Sequence, residues 1–185
     1  MNNKKKKYEI IVQAGGRGSR LRHFTWNKPK CLVSYEGKPV IFHIFDLLEK
    51  SNFHIIADYQ TDKLKKYFKI NKPKVNYKIY TTKEKGTCAG IDQVLNSIDN
   101  KKELIIIWSD LIITNLPDFK KSPSIVTTSA FTCRWSISKN KMVEKPSNNS
   151  GIPGIFFFKN KKILKKLPKS GEFVKWLSLI HISEP

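Results

Sequence analysis

A three-layer α/β sandwich with a mixed, mostly parallel central sheet is the fold class that the sequence predicts. Three observations lead to it. Strand-like and helix-like patterns alternate through the first 110 residues, the signature of parallel strands joined by helical crossovers. Two of the strand patterns, YEIIVQA (8–14) and ELIIIWSD (103–110), are nearly continuous apolar runs, as strands covered on both faces must be. The length, 185 residues, suits one domain large enough to bury its own core.

The elements follow in order. YEIIVQA is the first buried strand. GKPVIFHIFDLLEKS (37–51) carries Val40, Ile41, Ile44, Phe45 and Leu48 at helical spacing. FHIIADY (53–59) is a second strand. TDKLKKYFK (61–69) is a short helix opened by a Thr/Asp cap. VNYKIYTT (75–82) is a third strand, CAGIDQVLNSI (88–98) a helix, and ELIIIWSD an apolar strand ending in an acid. Further on, 124–133, 141–146 and 154–159 read as strands and 159–167 as a helix. PSNNSGIPG (146–154) is turn-rich and reads as a loop beside a ligand.

The charge is lopsided. Lysine and arginine number 35 against 15 acids, a net charge of +20. Clustered positive charge binds phosphate backbones, but these lysines are spread along the whole chain. A solvated lysine-biased surface is therefore expected, with no nucleic-acid groove. Such a field still attracts small anions such as nucleotides. No run approaches a membrane span. The basic leader MNNKKKK is followed by too short an apolar segment for a signal peptide, so a cytoplasmic protein with a disordered leader over 1–7 is expected. Cys31, Cys88 and Cys133 are odd in number and lack CxxC spacing, which argues against a disulfide framework or structural zinc.

Against this background of lysine, the four arginines stand out. Three of them, Arg17, Arg20 and Arg22, fall within AGGRGSRLRHFTWNKPK (14–30), behind the first strand. Glycines let backbone N–H groups approach an oxyanion closely. Arginine offers a planar fork that fits phosphate oxygens better than lysine does. The loop matches neither GxxxxGK[ST] nor GxGxxG. Asp110, at the C-terminal end of a buried strand, faces the crevice where open α/β sheets bind ligands.

The ordered series Gly15-Gly16-Arg17-Gly18-Ser19-Arg20-Leu21, Thr25, Pro29-Lys30, Leu32-Val33 and Gly37-Lys38-Pro39 resembles the signature of the sugar-nucleotidyltransferase family, which reads roughly GGxGTRLxPLTxxxPKxLxxVxGKPxI. Ser19 stands where the family usually has Thr, and His23-Phe24 where it has Pro-Leu. KGTCAGI (85–91), Asp110 and VEKP (143–146) match further family segments in the same order. The resemblance implies a Rossmann-like, GT-A-like domain over 8–177. It implies that Ala14, Gly15, Gly16, Arg17, Gly18 and Ser19 bind the nucleotide, with Arg20 on the phosphates and Lys30 on the phosphate under attack. Gly86 and Thr87 would lie against the nucleoside. Asp110 would hold Mg²⁺. Glu144 would line the acceptor site and Lys145 bind the acceptor's phosphate, with Gly154 counted beside them. The family's second metal-binding acid has no match here.

The expected activity is transfer of NMP from an NTP to a phosphorylated small acceptor, releasing pyrophosphate. The chain resembles the phosphoglutamine cytidylyltransferase branch, which implies CTP, phosphoglutamine and a place in bacterial capsule synthesis. A sugar 1-phosphate acceptor with UTP, dTTP or GTP is the alternative within the class. An inactive nucleotide- or RNA-binding protein is the alternative outside it, and retention of Lys30 and Asp110 argues against it. The last nine residues, LSLIHISEP, resemble a translated DNA-sequencing adapter. Residues 178–185 are therefore expected to be a non-native tail on a truncated domain.

Overall fold

The computed structural model describes residues 6–82 and 84–180. Residues 1–5 of the basic leader and 181–185 of the tail lie outside the described residues.

The first strand, β1 (Glu9–Gln13), is buried along its whole length. A 3₁₀ segment (Ser19–Thr25) follows, and a second 3₁₀ turn covers Lys30–Leu32. β2 (Ser34–Tyr35) and β3 (Lys38–Pro39) form a small hairpin, and α1 (Val40–Leu47) begins directly behind it. The helix is thus shorter than the 37–51 expected. Glu36 and Gly37 both adopt positive φ, 49° and 77°, which makes the two-residue turn that a right-twisted hairpin prefers.

β4 (Asn52–Ile56), α2 (Thr61–Asn71), β5 (Asn76–Tyr80), α3 (Thr87–Leu95) and β6 (Leu104–Trp108) come next, close to the expected spans. After them come β7 (Ser124–Ile125), the hairpin of β8 (Ser136–Ser138) with β9 (Lys141–Val143), β10 (Ile155–Phe158) and α4 (Phe173–Leu179).

Other expectations shrink too, the strand at 141–146 to the three residues of β9. Of the strand at 124–133 only two residues pair in the sheet. Beyond it the pairing survives only as isolated antiparallel bridges, Thr128 with Gly151 and Cys133 with Ser147, and between them the Thr128 hydroxyl accepts from Ala130 N in a local turn. The helix at 159–167 is only a 3₁₀ turn, Ile163–Lys166. There the Asn160 side chain accepts from Lys162 N, and Leu164 and Leu167 are buried at the three-residue spacing of that helix.

The central sheet has six strands in the order β5-β4-β1-β6-β10-β7. β5, β4, β1 and β6 run parallel, while β10 is antiparallel to both β6 and β7. The sheet is therefore mixed and mostly parallel, as expected. Helices cover both faces. Ile10 and Val12 point into a cluster with Ile41, Ile44 and Phe45 of α1 and Leu64 and Phe68 of α2. Ile11 points into the opposite cluster, with Ile91 and Val94 of α3 and Phe173 and Leu177 of α4.

Handedness accounts for this division. From β1 the chain steps outward through α1 to β4 and through α2 to β5. It then returns across β1 through α3 to reach β6. Right-handed crossovers in opposite directions place their helices on opposite faces. The direction reverses between β1 and β6, so the C-terminal ends of those two strands form the topological switch point. Among the described residues, no helix is long and apolar enough to cross a membrane.

Candidate active site

A cleft of about 900 Å³ opens at the switch point. Its floor is the end of β1, where Gln13 gives way to Gly15 and Gly16, beside Trp108 and Asp110 at the end of β6. Gln13 is 8% exposed, and its amide nitrogen has no hydrogen-bond partner among the described residues. A buried donor left open at the edge of a cleft is suited to a ligand.

The glycine loop is held by side chains from far along the chain. Gly18 has φ 65°, and a Cβ there would come within 2.9 Å of the Lys30 side chain. The buried Thr25 hydroxyl, 3.1 Å from Gly18 O and 3.2 Å from Arg22 O, pins the loop to its own end. The Tyr59 hydroxyl donates to Thr25 O, and the Arg17 guanidinium lies 5.8 Å from the Tyr59 ring centre. A Cβ on Gly15 would come within 2.8 Å of an Asp58 carboxylate oxygen, and Asp58 accepts from Thr82 N.

Lys30 folds back beneath this loop. A Cβ on Gly16 would meet its Cε at 3.7 Å. Its Nζ lies 3.1 Å from Asp110 Oδ2, joining the end of the signature segment to the end of β6. Gly15, Gly16, Arg20, Lys30, Gly86, Thr87 and Asp110 all line the cleft.

The other expected residues sit apart from the lining. Ala14 is fully buried and its N–H donates to Ile56 O. Arg17, Gly18 and Ser19 belong to the loop's outer arm. Gly154 is buried with φ 104°, and a Cβ there would come within 2.1 Å of the Trp108 ring. Close packing beneath Trp108 thus accounts for that glycine. Lys145 is exposed, and its carbonyl accepts from the Ser136 hydroxyl. Glu144 stands behind the cleft wall, where its Oε1 accepts from Arg134 Nε at 2.8 Å.

The cleft wall at Gly86 and Thr87 is closed by a long-range zipper. Cys88 N donates to Gly171 O, Gly171 N to Lys85 O, and Phe173 N to Thr87 Oγ1 at 2.7 Å. Gly86 has φ 95°, and a Cβ there would lie 2.3 Å from Gly171 O. Asp58, Trp108, Arg134 and Glu172 line the cleft without having been singled out by motif. One signal pointed to Arg134: it is the fourth arginine of a lysine-rich chain.

The donor set suits a hard cation only in part. Asp110 offers a carboxylate to the cleft, and among the described residues no group of three or more His, Cys, Asp or Glu is placed to hold a metal. Such a site fits Mg²⁺, which takes one or two carboxylates and completes its shell with water and substrate phosphates. Burial pushes the Cys31 thiol up to about 12 and that of Cys88 up to about 11, so both stay protonated at neutral pH and neither is a ready nucleophile.

The profile of the family described as nucleotidyl transferase matches residues 9–131, about two thirds of the chain. The chain belongs to this nucleotidyl transferase family. Bifunctional protein GlmU of Methanocaldococcus jannaschii is 34% identical over 118 residues, covering 61% of the chain and 28% of that protein. The CTP:phosphoglutamine cytidylyltransferase of Campylobacter jejuni is 29% identical over 141 residues, covering 68% of the chain and 54% of that protein. Among solved structures, HddC from Yersinia pseudotuberculosis superposes with a TM-score of 0.66 at 20% identity, covering 96% of the chain and 86% of HddC. This nucleotidyl transferase chain thus spans about a quarter to about half the length of those two curated relatives.

Proposed function

We propose that the protein transfers a nucleotidyl group from an NTP to a phosphorylated small molecule. The observation that carries this reading is the Lys30–Asp110 pair at the switch point, beneath the glycine loop. In the reaction an oxygen of the acceptor's phosphate attacks the α-phosphorus in line. A new P–O bond forms, the bond to the β-phosphate oxygen breaks, and pyrophosphate leaves. No protein nucleophile is required.

The chain's residues position the reactants and neutralise charge. Backbone N–H groups of Gly15 and Gly16 face the triphosphate, and Arg20 holds the leaving pyrophosphate. Lys30 moves from Asp110 to the α-phosphate, where charge accumulates. Mg²⁺, held by Asp110 and the phosphates themselves, would neutralise the phosphate oxygens. Gly86 and Thr87 form the wall beside the nucleoside. Glu144, Lys145 and the segment ending at Gly154 belong to the acceptor side. The catalytic domain is taken as 8–177.

For the substrates, CTP and phosphoglutamine are the favoured pair, giving CDP-glutamine for a bacterial surface polysaccharide. Its support is the 29% identity to a CTP:phosphoglutamine cytidylyltransferase. Pyrophosphate release, measured with four NTPs against a panel of phosphorylated acceptors, tests the reading. Release should be greatest with CTP and phosphoglutamine. Release greatest with a sugar 1-phosphate would replace that pair, and no NTP-dependent release with any acceptor would overturn the transferase reading.

A further inference from the structure

Arg134 is the only arginine outside the glycine-loop segment in a chain of 31 lysines. Arginine among so many lysines marks a place where the geometry of a fork matters. Its side chain lines the cleft beside Glu172. Both Nε and Nη2 are spent on one oxygen, Oε1 of Glu144, which fixes the plane of the guanidinium. Nη1 is differently placed. It lies 3.7 Å from Glu172 Oε1, an ion-pair separation too long for a hydrogen bond, and makes no hydrogen bond among the described residues.

Stability does not explain this arrangement. The Arg134, Glu144 and Glu172 side chains are each about half exposed, and exposed ion pairs of this kind contribute little to folding. Glu172 is nonetheless positioned with care. Its neighbours are tied to the nucleoside wall, Gly171 through Cys88 N and Phe173 through Thr87 Oγ1.

The charges define the ligand. One cation between two carboxylates leaves the cluster at about −1. A phosphate or other bare anion would meet two carboxylates. A neutral sugar could hydrogen-bond to these groups through its hydroxyls but would leave their charges uncompensated. A group carrying both signs fits: a carboxylate accepts from the open Nη1 edge of Arg134, and an ammonium donates to Glu172. Phe131 and Ile112, 49% and 41% exposed on the same cleft, offer apolar surface for the methylene carbons between such a group and the reacting phosphate.

We propose that Arg134, oriented by Glu144 and faced by Glu172, determines acceptor specificity by binding the carboxylate and ammonium of a phosphorylated amino acid. This rests on the nucleotidyl-transfer reading of the cleft.

The test is pyrophosphate release by the full-length protein with phosphoglutamine, its analogue lacking the α-carboxylate, its analogue lacking the α-amino group, and glucose 1-phosphate. The wild type should prefer phosphoglutamine at least tenfold over the other three in kcat/KM. Arg134→Gln should raise KM for phosphoglutamine about tenfold and abolish discrimination against the decarboxylated analogue. Arg134→Lys should not restore it. Glu172→Gln, nearly isosteric, should instead abolish discrimination against the deaminated analogue. KM for CTP should change less than twofold in each, with melting temperatures showing that the variants are folded. Two outcomes overturn the proposal while leaving nucleotidyl transfer intact: a wild-type preference for glucose 1-phosphate, or Arg134→Gln and Glu172→Gln scaling all four acceptors alike. No release with any NTP and acceptor would instead overturn the underlying reading, and the proposal with it.

Discussion

Lys30 Nζ lies 3.1 Å from Asp110 Oδ2, so the cation expected on the attacked phosphate and the acid expected on the metal face each other at the switch point. Each satisfies the other's charge, and under the proposed mechanism the pair would part as phosphates and a cation supply better partners. Lys30→Ala should therefore lower kcat by about 10²–10³-fold, the usual cost of losing one charge-stabilising group. KM for the NTP should change far less, because the interaction strengthens as charge develops. Steady-state kinetics over NTP concentration decide it, and a variant with wild-type turnover would remove Lys30 from the mechanism.

Thr25 is expected to act through the loop. Its buried hydroxyl reaches both Gly18 O and Arg22 O. Thr25→Val preserves the shape and removes the hydroxyl. A net loss of about 1 kcal/mol is expected, roughly 2–4 °C in melting temperature for a chain of this size. KM for the NTP should rise as the glycine loop loosens. An unchanged KM with a lowered melting temperature would limit Thr25 to folding.

Gly86 and Gly171 separate two effects that sequence inspection merges. Both have positive φ, 95° and 100°. A Cβ on Gly86 would clash with Gly171 backbone, whereas a Cβ on Gly171 would meet nothing within 4 Å. Gly171→Ala should cost only the conformational strain, about 1 kcal/mol or slightly more. Gly86→Ala should cost clearly more and part the zipper between 85–88 and 171–173. Thermal melts of the two variants give the comparison, and equal losses would contradict the close approach.

Alkaline stability should report the buried thiols. Burial raises the Cys31 thiol from 9.0 to about 12. The native state thus holds a proton that the unfolded chain releases near pH 9. The stabilising contribution is complete below about pH 9 and declines as pH rises toward 12. Urea midpoints measured between pH 8 and pH 11 should fall, and fall less steeply in Cys31→Ala. Identical slopes would show that Cys31 does not carry the effect.

Much of the fold was legible because its signals are local. The apolar run at 103–110 could only be a covered strand, and β6 occupies Leu104–Trp108. The helical spacing of Ile41, Ile44 and Phe45 placed α1 but not its start, since the Glu36–Gly37 turn interrupts the pattern through positive φ that apolar periodicity does not register. The segment 124–133 looked like one strand by composition, yet it pairs in the sheet only at Ser124–Ile125 and is broken by a local turn at Thr128–Ala130 between isolated bridges.

The sequence by itself determined the alternating architecture, the phosphate-suited loop from Gly15 to Arg20, and the acid at the end of a buried strand. Each is written within a few consecutive residues, where periodicity and residue chemistry act. Only the tertiary structure decided that Lys30 meets Asp110, that Gly171 closes over Gly86, and that Arg134 lies between Glu144 and Glu172. Those contacts join distant segments. The reversal of right-handed crossovers between β1 and β6 brings Lys30 to Asp110, the β8–β9 hairpin sets Arg134 beside Glu144, and the packing of the later segments brings Gly171 and Glu172 to the same cleft, none of which a local pattern records.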